Sequence, residues 1–315
     1  MSDKVFKSLD ELIELLKDRG VDIYDDESKK FAKTRLQQEG YYSLINGYKN
    51  LFLINTENTK NDQYKPGTTV NEIYALFIFD QSLREIFLRN ILKVERNIKC
   101  LIAYDFPQKY SHNNYLLYKN FDLTKKDSSK NVTSMLSDIQ HQISQRNSDP
   151  SIRHYLNTYG YVPLWVLNNI LSLGQISKFY FNMKQKDRQE ISKRFKIMDS
   201  ELETHLKYLT AIRNCSAHNN RLYCFRSHDV MVNTKYHKEL KISFEKEYAQ
   251  GKRDLFAAVI SLKILLPTIE FNQFIADIDT TINTLESQLK VLKISDVLNE
   301  MGFPANWKEI KSLNK

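Results

Sequence analysis

The segment Arg213 to Arg221 reads RNCSAHNNR and places a guanidinium, an amide and an imidazole within a short span. Asn214 and His218 stand at i and i+4, so a helix puts them on one face. Arg213 precedes His218 by five residues, about 140° around a helix at ~100° per residue, but its long side chain can bend towards the same cleft. Arg221 follows His218 by three and returns to that face. Cys215, Ser216 and Ala217 between them are small, which permits close approach of a helix or a ligand backbone. An imidazole transfers protons near neutral pH. A guanidinium binds and neutralises a phosphate. The combination suits metal-free RNA cleavage. His218 would act as general acid or base on the 2′-hydroxyl or the leaving oxygen, Arg213 would hold the scissile phosphate, and Asn214 would orient both. An R-x4-H spacing by itself also arises by chance, its plainer reading being a surface histidine at a helix end. What sets this segment apart is several polar groups beside an apolar helix face, where burial is costly.

Other enzyme signatures are absent from the sequence: no Walker A, GxGxxG, HExxH, GxSxG or paired CxxC occurs. The histidines (His112, His141, His154, His205, His218, His228, His237) are scattered, with no pair at helical metal-ligand spacing, so neither metal nor cofactor is expected. Cys100, Cys215 and Cys224 form no disulfide framework, which points to a reducing compartment. The N-terminus carries acids early and lacks the apolar core of a secretory signal. The most apolar run, Leu255 to Leu266, is interrupted by Ser261 and Lys263 and is too short to span a bilayer. A soluble, cytoplasmic protein without a membrane anchor is expected. The net charge of +8 favours an anionic partner such as RNA or DNA. Lys184, Lys186, Arg188, Lys193, Arg194 and Lys196 form a basic run read as RNA-backbone contacts rather than as a merely solvated face. Arg96 and Lys99 join the candidate RNA contacts, as does Arg221.

These side chains must be positioned by helices. The chain has 315 residues, 42% hydrophobic and 27% charged, a globular balance. With 8 glycines and 6 prolines it is poor in the turn residues that strand-rich folds need, so an all-α fold is expected. Ser8 with Glu11 forms a capping-box pattern before an amphipathic helix that Gly20 ends. A second helix runs from about Asp26 to Gln38 and stops at Gly40. An aromatic block follows, in which Tyr41, Tyr42 and Tyr48 either stack on bases or, more ordinarily, pack around Gly47. Apolar residues from Ile73 to Ile102 recur every three or four positions, which predicts one long helix from Thr69 to about Asp105. On it Arg84 pairs with Asp80 at i+4, a surface contribution of ~0.3–0.5 kcal/mol. Glu95 either orients Arg213 or makes a salt bridge within its helix or bundle. Further helices are expected at Thr133 to Gln145, at Pro163 to Tyr180 with Trp165 in the core and a break near Gly174, and at Asp187 to Phe195. A capping box of Ser200 with Glu203 opens the helix that carries Arg213. The stretch 224–241 reads as irregular, and two helices split by Pro267 close the pattern.

Several segments together resemble the abortive-infection family of the AbiD/AbiF branch, within the HEPN superfamily. They are GYYSLINGY from Gly40, FDQSLREIFLRNILKVERNIK from Phe79, VPLWVLNNILSLGQISKFY from Val162, RNCSAHNNRLY from Arg213 and MGFPANW from Met301. The resemblance implies a HEPN-type helical bundle at residues 68–270, between a small helical N-terminal unit (1–67) and a C-terminal helical extension (271–315). It implies an active site of Arg213, Asn214 and His218 that cuts RNA without metal, completed when two copies of the helix meet in a homodimer. It further implies phage defence by an endoribonuclease acting as a toxin, restrained by a bound structured small RNA. The alternative is a defence component that binds RNA without cutting it.

Overall fold

The computed structural model describes residues 5–54, 62–242 and 250–314. Among these the fold is all-α, and no strand forms beyond isolated bridges such as Asp22 with Thr69. No helix is long and apolar enough to cross a membrane among the described residues.

Helix α1 (Leu9–Asp18) starts at the Ser8–Glu11 capping box, and Gly20 follows it with φ +90°, in the left-handed region that favours glycine. Helix α2 (Asp26–Glu39) is capped by Asp25 and closed by Gly40. A single π-helical turn (Tyr42–Asn46) and a 3₁₀ turn (Lys49–Phe52) lead towards α3 (Val70–Tyr110). This helix has 41 residues, about 60 Å at 1.5 Å per residue. It runs five residues beyond its expected end and tolerates Pro107 inside its last turn.

Next come α4 (Ser128–Gln145), α5 (Pro150–Tyr159), α6 (Leu164–Leu167), α7 (Leu173–Asn182) and α8 (Gln185–Lys193). The expected helix from Pro163 to Tyr180 is two pieces. The break lies at 168–172, just before Gly174, and Ser172 restarts the helix through a capping box with Gln175. Trp165 is not core: it is 48% exposed, while its neighbours Leu164, Val166 and Leu167 take the buried side of a one-turn helix.

Helix α9 (Asp199–Ala217) packs against α3, α7, α8 and α11 (Leu255–Leu265). Between α9 and α11 lie irregular chain and the short α10 (Lys235–Glu239). Every residue of α11 is buried, the pattern of a helix surrounded by others. Helix α12 (Thr268–Glu286) lies along α3, and α13 (Ile294–Glu300) completes the order. Buried apolar residues from the N-terminal unit, the middle stretch and the C-terminal stretch form one contiguous core. The boundary expected between residues 270 and 271 falls within α12.

Candidate functional site at the end of α9

Leu202, Leu206, Leu209 and Ile212 form the fully buried stripe of α9. The helix begins earlier than the Ser200–Glu203 pattern suggests. Met198 is its cap, and the Met198 backbone N–H donates to Glu201 Oε2 at 2.9 Å. On the outer side, Glu203, Lys207, Thr210 and Asn214 face α7 across a groove of about 580 Å³. Gly174 lets the helices approach there, since a β-carbon at that position would stand 3.3 Å from Thr210 Cγ2.

The motif fills the last turn. His218 is the cap residue, its backbone N–H bonded to the Asn214 carbonyl at 3.0 Å. Asn219 then turns left-handed with φ +54°, a conformation asparagine tolerates. Asn220 N–H reaches back to the Cys215 carbonyl at 3.0 Å and Asn219 N–H to Ser216 at 3.4 Å, which together make a Schellman closure. Asn214 and His218 are exposed and Arg213 is half-buried. Arg213 Nη1 stands 3.5 Å from Asn214 Oδ1, and Arg213 Nε is buried without a hydrogen-bond partner. Of the small residues between, Cys215 and Ser216 turn inward; burial pushes the Cys215 thiol up to about 11.

Because the helix stops at Ala217, Arg221 is not on the face of His218, contrary to the helical extrapolation. It leaves in another direction and donates from Nη1 to the Gly47 carbonyl at 2.8 Å. The next two residues are fixed by Asp80. Its carboxylate accepts the N–H groups of Leu222 at 3.0 Å and Tyr223 at 2.6 Å, the Tyr48 hydroxyl at 2.8 Å and Arg84 Nη1 at 2.6 Å. The Asp80–Arg84 pair is therefore not a surface contact: Asp80 is fully buried. Burial raises the Asp80 pKa, and Arg84, Tyr48 and the two backbone N–H groups oppose that rise by stabilising the charged form. Tyr48 packs in the core, stacked on Tyr223 at 5.5 Å. One carboxylate on α3 thus sets where the chain leaves the motif. Sequence reasoning missed this role, because a partner of Asp80 142 residues away leaves no mark in local spacing.

The other candidate residues lie elsewhere. Helix α3 runs antiparallel to α9: Asp80 meets Leu222 at one end, and Asp105 pairs with Arg194 at 2.7 Å near the other. The basic run on and after α8 sits beside the start of α9, where Arg188 bonds Asp199. From Asp199 to His218 the rise is about 28 Å at 1.5 Å per residue. The run and the motif are thus not brought together. Arg188 itself is turned inward, 6% exposed, which takes it off the surface on which the sequence placed it. Lys186 and Lys196 are exposed; Lys193 is exposed and pairs with Glu190 at 3.2 Å. Lys184 is half-buried over the Tyr110 ring at 5.4 Å. Arg96 and Lys99 line a hollow of about 610 Å³ with Trp165 and Tyr104. Glu95 pairs with Lys99 at 2.7 Å, the intrahelical alternative, and not with Arg213. Among the described residues no group of three or more His, Cys, Asp or Glu side chains is arranged to hold a metal ion.

One family model matches the chain, that of the Abi-like protein family, over residues 34–224. The match opens in α2, includes the π-helical turn and all of α3, and closes just beyond the two residues that Asp80 holds. No curated protein and no solved structure matches the chain. With more than half its length matched, the chain belongs to the Abi-like protein family, and abortive infection, a defence against phage, is the setting in which it works.

Proposed function

We propose that this protein is an endoribonuclease of HEPN type, of the AbiD/AbiF branch, which cleaves RNA in the cytoplasm without a metal ion. The observation that carries the reading is the end of α9. There, exposed His218 and Asn214 stand beside a half-buried Arg213 whose Nε lacks a partner, on a turn fixed by the Schellman closure and the Asp80 clamp. Arg213 binds the scissile phosphate, with Asn214 as its positioning neighbour. The 2′-oxygen attacks phosphorus as its proton leaves to a base. The P–O5′ bond breaks, the 5′-oxygen is protonated, and a 2′,3′-cyclic phosphate remains. Base and acid are two roles, and each chain brings one such imidazole. A homodimer that apposes two α9 ends supplies both. The exposed cations Lys186, Lys193, Lys196 and Arg96, with Lys184, Lys99 and Arg194, offer phosphate contacts for a structured small RNA that restrains the toxin.

Purified protein incubated with labelled RNA in EDTA tests this. Products ending in cyclic phosphate are expected, and His218→Ala should lower the rate by at least about 100-fold while the fold is retained. Undiminished cleavage by a folded His218→Ala protein overturns the assignment. A stable, salt-sensitive complex without products identifies an RNA-binding defence component instead.

A further inference from the structure

A second cleft of about 570 Å³ opens beside the motif, between the π-helical turn and the chain that leaves α9. Its walls include Tyr42 from the turn and Asn219, Asn220 and Arg221 from the residues directly after His218. We infer that this cleft seats one unpaired nucleotide of an RNA strand, its base stacked on Tyr42 and its backbone held by Arg221. The inference rests on the reading of the protein as one that acts on RNA, and it adds where the strand next to the scissile bond lies.

Tyr42 is 80% exposed, unlike the tyrosines around it. Tyr48 is buried, and Tyr41 accepts a hydrogen bond from Arg19 at 3.2 Å. The Tyr42 ring is carried on a π-helical turn, a rare backbone form that occurs often at functional sites. The chain directly after that turn is held by Arg221 on the Gly47 carbonyl and by Tyr48 on Asp80, so the aromatic face is presented from an anchored base. Stacking on such a face accepts any base.

The charges in the cleft discriminate further. Arg84 reaches it, but Asp80 neutralises that guanidinium. Arg221 makes no ion pair among the described residues and spends one of its five N–H donors on Gly47, which orients the fork while its charge stays uncompensated. An oriented, uncompensated guanidinium suits a phosphate. The amides of Asn219 and Asn220 offer donors and acceptors to a base edge, and Glu39 adds one carboxylate acceptor for an amino or ring N–H. An aromatic face, a free cation and several amides together fit a nucleotide better than a peptide or an apolar ligand.

The test is equilibrium binding of a fluorescein-labelled single-stranded RNA, 2′-O-methylated so that it cannot be cut, followed by anisotropy over a range of salt. Tyr42→Ala should weaken binding by about tenfold without changing the salt dependence, and Tyr42→Phe should bind like the parent. Arg221→Ala should weaken binding and lower the slope of log K against log salt by about 0.7. Both residues are exposed, so the variants should fold. If Tyr42→Ala and Arg221→Ala bind like a parent that cuts unmodified RNA, the nucleotide cleft is overturned and the nuclease reading stands. If the two variants show the expected losses yet the parent cuts nothing, the nuclease reading falls and the cleft stands. A parent that binds no RNA overturns both.

Discussion

Arg188 carries a full positive charge into a site where it is 6% exposed. Asp199 takes two of its N–H groups at 3.2 and 3.0 Å, Asp122 stands 3.7 Å away, and the carbonyls of Phe181 and Met183 accept at 3.2 and 2.9 Å. A buried ion pair of this kind adds little against an apolar substitute for the whole set, but removing one partner strands the other charges. Arg188→Met should therefore destabilise the protein by about 3–5 kcal/mol in urea unfolding. Lys186→Met, two residues away and exposed, should change stability by less than about 0.5 kcal/mol. Equal effects would show that Arg188 is a surface cation after all. The inward turn of Arg188 was partly legible. Asp187, Arg188, Ile191 and Ser192 fall on one face of α8, and Ile191 marks that face as the buried one. What the sequence could not supply is the partner, since Asp122 comes from the loop before α4 and Asp199 opens α9. Trp165 errs the opposite way for a related reason: in a helix of one turn no period exists to say which side is buried.

At the scale of elements, the starts and stops set by local chemistry were readable. The Ser8–Glu11 box, Gly20 and Gly40 act within a few residues, and the structure uses all of them. Other helix ends were not: α3 passes Pro107, and α9 takes Met198 rather than Ser200 as its cap. The candidate motif sits between these cases. Its helix was evident from the apolar stripe, but the stop at Ala217 depends on a left-handed Asn219 and on the Asp80 clamp, so Arg221 was placed on the wrong face. The joint between α9 and α11 gives a test in pH. His205 is fully buried, and its Nδ1 lies 3.0 Å from Ser261 Oγ. The Ser261 hydroxyl already donates to the Ala257 carbonyl at 2.9 Å, so it accepts from His205, and the imidazole is the neutral Nδ1–H form. Nε2 is buried without a partner. Burial lowers the His205 pKa from the ordinary 6.5 to about 4. The unfolded chain therefore binds a proton that the folded chain refuses between those values, and stability is lost as pH falls through that window. Burial lowers His237 as well, in the same direction. His205 alone should cost about 2 kcal/mol between pH 7 and pH 5, read from urea midpoints at the two values. His205→Leu should flatten that difference; an unchanged slope would exclude His205 as its source.

For the molecule as a whole, the contacts that close the fold join its ends to its middle. Glu72, in the first turn of α3, accepts the backbone N–H groups of Lys290, Val291 and Leu292 through one oxygen at 3.1, 2.9 and 2.9 Å. Arg19 and Thr68 carbonyls receive the N–H groups of Tyr64 and Asp22, which ties the N-terminal helices to the base of α3. With one continuous core, these ties argue that the C-terminal stretch folds together with the helices that hold the candidate site. Gly302, within the MGFPANW segment, tests that coupling. Its φ is +77°, and a β-carbon there would lie 2.0 Å from Asp254 Cγ and Oδ2. Asp254 is fully buried, caps α11 through Ala257 N–H at 3.2 Å and accepts Gly251 N–H at 2.8 Å, so it has no room to yield. Gly160 has a similar φ of +74°, but nothing within 4 Å of the added carbon. Gly160→Ala should therefore cost only the left-handed backbone strain, about 1 kcal/mol, whereas Gly302→Ala adds overpacking and should exceed about 3 kcal/mol. Because the core is shared, the loss should appear as one earlier transition in which amides of α9 and α11 lose protection together. A separate early transition confined to residues after 270, with α9 amides still protected, would mean that the C-terminal stretch is an independent unit and that the site at the end of α9 stands without it.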